Sequence, residues 1–187
     1  MFFYRIKQVY WYARFMLLSL LYKKVGAFSY IAPALSIIGY SKISLGTKVR
    51  IAKNSRIECA DKESNLVFRN NVSVGPHFTV IACSHLEIGC DTTISQNVFI
   101  CDVEHEYRHI GVHVMDQPLV KSKTLIGKGC FIGYGTIIQA GTELGEQCIV
   151  GANSVVRGSF PNRCVIAGNP AKVIKKYDSK TQCWNRV

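Results

Sequence analysis

The sequence predicts an all-β solenoid, a coil of short parallel strands stacked turn on turn. Three observations predict it. Aliphatic residues recur every six positions at Val120, Ile126, Ile132, Ile138, Leu144, Val150 and Val156. Glycine follows four of them (Gly127, Gly133, Gly145, Gly151), and small residues stand four places on, at Cys130, Thr136, Thr142, Cys148 and Ser154. The same register returns upstream in triplets: Leu45, Ile51 and Ile57; Phe68, Val74 and Val80; Ile88, Ile94 and Ile100.

A period of six matches neither the 3.6 of an α-helix nor the two of an ordinary strand. It fits a short flat strand followed by a turn. Three such units close a triangular coil of about 18 residues, and stacking lays each aliphatic residue on its equivalent one coil below. Neighbouring coils then hydrogen-bond at roughly 4.8 Å. The glycines are expected at tight corners, where a positive φ favours them. The repeat runs from Leu45 to Val156, which makes about five coils.

Composition sets the outer limits. A chain of 187 residues is one domain with room for a sizeable core. With 48% hydrophobic and 19% charged residues it is neither disordered nor a coiled coil. Lys and Arg number 23 against 12 Asp and Glu, a net charge of +11 that calls for an anionic partner: a nucleotide cofactor, a membrane surface or nucleic acid. The eight cysteines include no CxxC pair, so they read as reduced, small apolar residues of a cytosolic protein. No nucleic-acid-binding module is recognisable, and no nucleic-acid partner is expected.

Residues 1–25 read as an amphipathic helix with Phe2, Ile6, Val9, Tyr10 and Ala13 on one side, ending in Lys23 and Lys24. Arg5, Lys7 and Arg14 interrupt it. The longest uncharged run, Phe15 to Tyr22, is far short of the roughly 20 residues of a spanning helix. No cleavage site marks it as a signal peptide. Two roles stay open: packing on its own domain or a neighbouring subunit, and lying on an anionic membrane. Residues 26–187 form the solenoid domain.

The largest break lies between Ile100 and Val120, in CDVEHEYRHIGVHVMDQPL, a protruding loop of about 101–119. It holds His105, His109, His113, Asp102, Glu104 and Glu106, and breaks in a solenoid are where chemistry is sought. Its Asp102-x-x-His105-x-Tyr107, its Gln117-Pro118-Leu119 and the following Ile126-Gly127 resemble the acetyl-CoA-dependent O-acetyltransferases of the hexapeptide-repeat superfamily, the galactoside, maltose and surface-polysaccharide group. The resemblance implies a left-handed parallel β-helix, a homotrimer with the site between subunits, and His105 as catalytic base. A histidine suits that role, because an alcohol is protonated at neutral pH and an imidazole titrating near 6.5 can take its proton as the oxygen attacks the thioester. A carboxylate on the other ring nitrogen would fix the tautomer, with Asp102 the first choice and Glu104 or Glu106 alternatives.

The terminal VIAGNPAKVIKKY, residues 165–177, resembles the same family's coenzyme A-contacting motif. The resemblance implies Lys172, Lys175 and Lys176 near the coenzyme's phosphates. It sets Gly133, Gly151 and Ala152 along the pantetheine arm, and a backbone amide at Gly133–Tyr134 for the oxyanion. Phe131 stands where several members carry Trp. Gly75, followed by Pro76 and His77, stands where the galactoside enzymes place an acceptor-binding Asn, so a different acceptor is expected. His77, His85 and Tyr107 are the candidate acceptor contacts.

The expected activity is transfer of acetyl from acetyl-CoA to a sugar hydroxyl of a cell-surface polysaccharide or its precursor, free or lipid-linked. No metal is expected. The expected location is the cytoplasm, with a peripheral position at the inner face of the plasma membrane open. Two other classes compete: a zinc enzyme like the γ-type carbonic anhydrases, using His85, His105 and His109, and a non-catalytic β-helix binding protein.

Overall fold

The computed structural model describes residues 2–187, with side chains from Ile6 onward except Lys7. The Phe2, Arg5 and Lys7 side chains therefore lie outside the described residues.

The strands stack into three flat faces of a triangular prism. The first face has seven parallel strands, from Lys24–Val25 to Ser159–Phe160. The second runs in parallel from Tyr30–Ile31 to Cys164–Gly168, then continues antiparallel through Ala171–Asp178 and Cys183–Arg186. The third has six strands, from Ser36–Ile38 to Val155–Val156.

Seven coils are thus present where the repeat count gave five. The missed first coil holds Val25, Ile31 and Ile37, which keep the period of six but are set off from Leu45 by eight residues. The last coil closes in sixteen residues, pairing Leu144 with Phe160 and Val150 with Ile166, so its period is lost. Val120 belongs to no coil. It lies in an antiparallel hairpin strand, Leu119–Lys121, and its place in the run is a coincidence of spacing.

The remaining repeat aliphatics form three columns, buried except at their ends, where Ile37 and Phe160 are partly exposed. Leu45, Phe68, Ile88, Ile126, Leu144 and Phe160 stack in register on the first face. Ile31 through Ile166 stack on the second and Ile37 through Val156 on the third. Burying each such side chain is worth about 1.5–3 kcal/mol, which makes these columns the main source of stability. The period of six is the rule that keeps them vertical.

The repeat glycines serve a different purpose from the expected one. Gly127, Gly133, Gly145 and Gly151 have ordinary φ; the left-handed residues sit two places later, as in Gly129, Gly135, Gln147 and Asn153. What Gly127 supplies is closeness, because a Cβ there would lie 2.5 Å from the Gly145 backbone one coil on. Gly127→Ala should force two coils apart and cost about 1–3 kcal/mol. A thermal melt should fall by several degrees; an unchanged melt would refute the close-approach account.

The N-terminal helix, Phe2–Leu18, and a short turn, Ser19–Leu21, end before the first strand at Lys24, two residues ahead of the expected boundary. The helix packs through Trp11, Tyr12, Phe15 and Leu18 against the first coil. Phe15 is buried with its ring 5.1 Å from Tyr22, which meets the edge of Tyr40 at 5.2 Å. The side named from the sequence (Ile6, Val9, Tyr10, Ala13) points outward and is exposed.

Candidate active site

The candidate residues gather on two different edges of the prism. One edge joins the third face to the first, and the long hairpin leaves the solenoid there. Strand Val103–His105 pairs antiparallel with Leu119–Lys121, His105 opposite Leu119. Two ion pairs brace the hairpin: Glu104 to Arg157 at 3.1 Å on one side, Lys121 to Asp61 at 2.8 Å on the other. Beyond it, buried Gln117 staples the loop, its amide bonded to His109 N and O and to the Val112 carbonyl. Ser122 N returns to the Asp102 carbonyl at 2.8 Å and Thr124 Oγ1 to the Cys101 carbonyl, closing the coil beneath the insertion.

His105 ends its strand exposed, and among the described residues its ring has no hydrogen bond or ion pair. Asp102 does not reach it. This carboxylate is fully buried and accepts from two amides of the coil below, Cys83 N at 2.6 Å and Ser84 N at 2.9 Å. Burial raises its pKa, and the two amide bonds offset part of that rise. Burial, then the nearby Asp102 charge, also pushes the Cys59 thiol up to about 12, so it stays protonated.

The alternative carboxylates are likewise occupied, Glu104 by Arg157 and Glu106 by the Tyr107 and Arg108 amides. His85 lies beside the same edge, in a groove of about 500 Å³ with Lys23, Arg69 and Glu87. Its Nδ1 is 2.8 Å from Asn65 Nδ2, and its Nε2 is 3.7 Å from Glu87. Tyr107 is exposed on the loop. His113 Nδ1 accepts from Met115 N and caps a short turn, so the four-residue spacing from His105 does not form a helical face. Among the described residues no three His, Cys, Asp or Glu side chains are gathered as a metal site.

The other edge joins the second face to the third. Here Gly133 and Tyr134 stack on Gly151 and Ala152, with Asn153 N donating to the Tyr134 carbonyl. Tyr134 is partly exposed, and its hydroxyl accepts from Asn97 one coil below. His77 belongs to this edge too. It holds the left-handed corner position (φ 58°) that Asn54, Asn97 and Asn153 fill in other coils, and its side chain is exposed. The edge ends in the terminal hairpin, where Ala167 pairs with Lys172 and Val165 with Lys175. Lys172 and Lys176 are exposed; Lys175 is half-buried.

With this geometry, relatives can be compared. Residues 123–158 match the bacterial transferase hexapeptide model (six repeats). Those residues carry the hexapeptide repeat of bacterial transferases. Among hexapeptide-repeat relatives, a protein of Escherichia coli (strain K12) named for lipopolysaccharide biosynthesis O-acetyl transfer, WbbJ, is 38% identical over 131 residues. That match spans 65% of this chain and 66% of WbbJ, just under two thirds of its length. AntD, an N-acyltransferase from Bacillus cereus solved with dTDP and coenzyme A, superposes with a TM-score of 0.74 at 20% identity, covering 89% of this chain and 90% of AntD. A maltose O-acetyltransferase from Clostridium difficile 630 superposes at 0.55 with 25% identity, covering 86% and 72%.

Some features of this hexapeptide-repeat site carry no sequence signature. The amides that hold Asp102 belong to backbone, and the Arg157–Glu104 brace joins residues 53 positions apart. Gln117 was visible within its Gln-Pro-Leu motif, but its stapling role was not.

Proposed function

We propose that this chain is an acetyl-CoA-dependent O-acetyltransferase acting on a sugar hydroxyl of a cell-surface polysaccharide or its precursor. The observation that carries the reading is His105, an unengaged imidazole held out on a braced hairpin. In the reaction His105 takes the proton of the sugar hydroxyl as its oxygen attacks the thioester carbonyl. A backbone amide at Gly133–Tyr134 receives the oxyanion. The C–S bond then breaks, and the proton passes from the imidazolium to the departing thiolate. Family resemblance and the activities for which the relatives are named support the donor and the acceptor class.

The two-edge arrangement supports a homotrimer. His105 stands on one edge, while the small-residue column and the Lys172 hairpin occupy another. A neighbouring copy would bring an edge of each kind together, completing a site one chain leaves divided. His77, His85 and Tyr107 remain the candidate acceptor contacts. A lipid-linked acceptor and a peripheral position at the inner membrane face belong to the same reading.

Isothermal titration with acetyl-CoA tests the donor site. Wild-type protein should bind in the micromolar range, and Lys172→Ala/Lys175→Ala should weaken binding about tenfold, as removal of two phosphate contacts predicts. Absence of binding by well-folded protein would remove the acyltransferase reading.

A further inference from the structure

The charge of this chain is concentrated at one end. Residues 1–57 contain ten of the 23 Lys and Arg and none of the 12 Asp and Glu. Residues 58–187 contain the other 13 bases and all 12 acids, so nearly the whole excess belongs to the N-terminal helix and the first two coils. Little of it is neutralised in place. Glu58 takes Arg56, and Lys42 donates to the Asp61 carbonyl. Arg14, Lys24, Lys48 and Lys53 have no carboxylate partner among the described residues.

The same end is apolar where it should be polar. The helix uses Trp11, Phe15 and Leu18 to cover the first coil, and a helix with water on its outer side ordinarily keeps that side polar. Here the outer side carries Val9, Tyr10, Met16 and Leu17, continued by Leu20 and Leu21. Leu17 is 83% exposed and Leu20 92%. Phe28 and Leu35, on turns of the first coil, add two more exposed side chains. A helix apolar on both sides, free of acid and flanked by cations, suits the boundary between a solenoid and a lipid interface.

Charge decides between occupants. A second copy docking through this face would set two strongly basic ends together, with like charges opposed. An anionic bilayer satisfies both the apolar row and the cations. We propose that the N-terminal end of the solenoid docks on an anionic lipid bilayer, with Val9, Tyr10, Leu17 and Leu20 seated in its interface.

This inference deepens the membrane part of the functional reading but rests on the N-terminal third alone. It also sets a height for the chemistry. The strand that leads to His105, Phe99–Cys101, is the fourth on its face. Three steps of roughly 4.8 Å place it about 14 Å along the axis from the first coil. A sugar on a membrane-embedded carrier can reach that level. Any cyclic oligomer would present all its helices to the same side, multiplying a weak contact into a firm one.

The decisive experiment is co-sedimentation of the full chain with vesicles. Wild type should pellet with phosphatidylglycerol–phosphatidylcholine vesicles, not with pure phosphatidylcholine, and about 0.5 M salt should release most of it. Leu17→Glu/Leu20→Glu should lose at least tenfold in vesicle affinity with an unchanged melt and unchanged acetyl-CoA binding. Arg14→Gln/Lys24→Gln should lose on the order of fivefold per charge. Equal pelleting with both vesicle types, undiminished binding by the Glu variant, or a lipid-free oligomer that the Glu variant dissolves would each overturn the proposal. Vesicle binding without acetyl-CoA binding would keep it and remove the acyltransferase reading; the reverse result would do the opposite.

Discussion

Replacing His105 by alanine should abolish acetyl transfer while leaving the protein otherwise intact. A positioned general base contributes about 10²–10⁴-fold, so turnover should fall by a factor in that range. The side chain is exposed and, among the described residues, without a hydrogen-bond partner, so its removal should shift stability by no more than about 0.5 kcal/mol. Acetyl-CoA affinity should hold, because the residues proposed to bind the donor lie on the other edge. His105→Gln should be equally inactive: it keeps hydrogen bonding but cannot carry a proton at neutral pH. Of the other histidines, His113 caps a turn and His85 is tied between Asn65 and Glu87. The readout is coenzyme A thiol released with a panel of glycan acceptors. Retention of more than a tenth of wild-type turnover would sink the assignment.

The interior of the solenoid was legible because one period governs it. Columns such as Leu45, Phe68 and Ile88 follow from spacing alone, since a flat coil repeats its inward positions every six residues. The ends were harder to read for local reasons. Val25, Ile31 and Ile37 keep the period, but the eight-residue step to Leu45 hides their link to it. The last coil is two residues short, and Val120 mimics the repeat from within a hairpin. The role of Gly127 is also tertiary: it depends on how near the next coil passes, which no φ preference reveals. The helix could be read in part. Its outward apolar row was visible, whereas its inner contact through Trp11 and Phe15 depends on what the first coil leaves uncovered.

His105 is proposed as the base through its motif. The carboxylate assigned to it lies elsewhere in the structure, and the difference has consequences that can be measured. The sequence makes Asp102 the first choice for a carboxylate on the imidazole, with Glu104 and Glu106 as alternatives. The structure instead turns Asp102 inward, onto the Cys83 and Ser84 amides. It is therefore a positioning residue that fixes the corner from which the His105 hairpin springs.

Asp102→Ala should leave two buried N–H groups without acceptors, at about 1–3 kcal/mol each. For a domain of this size the melt should fall by about 5–15 °C. Asp102→Asn keeps one acceptor and sets an amide donor against the other N–H, so its stability should lie between wild type and alanine. The acid's own titration gives a second signature. The fold raises the Asp102 pKa, so its stabilising contribution is full below the unfolded value near 3.9 and declines as pH rises through the raised native value. The melting difference between wild type and Asp102→Ala should therefore narrow as pH climbs through that window. Activity separates the two roles. If Asp102 gripped the imidazole, Asp102→Asn would lower turnover while leaving the melt unchanged. If it holds the corner, the melt falls and turnover falls with it as the hairpin loosens.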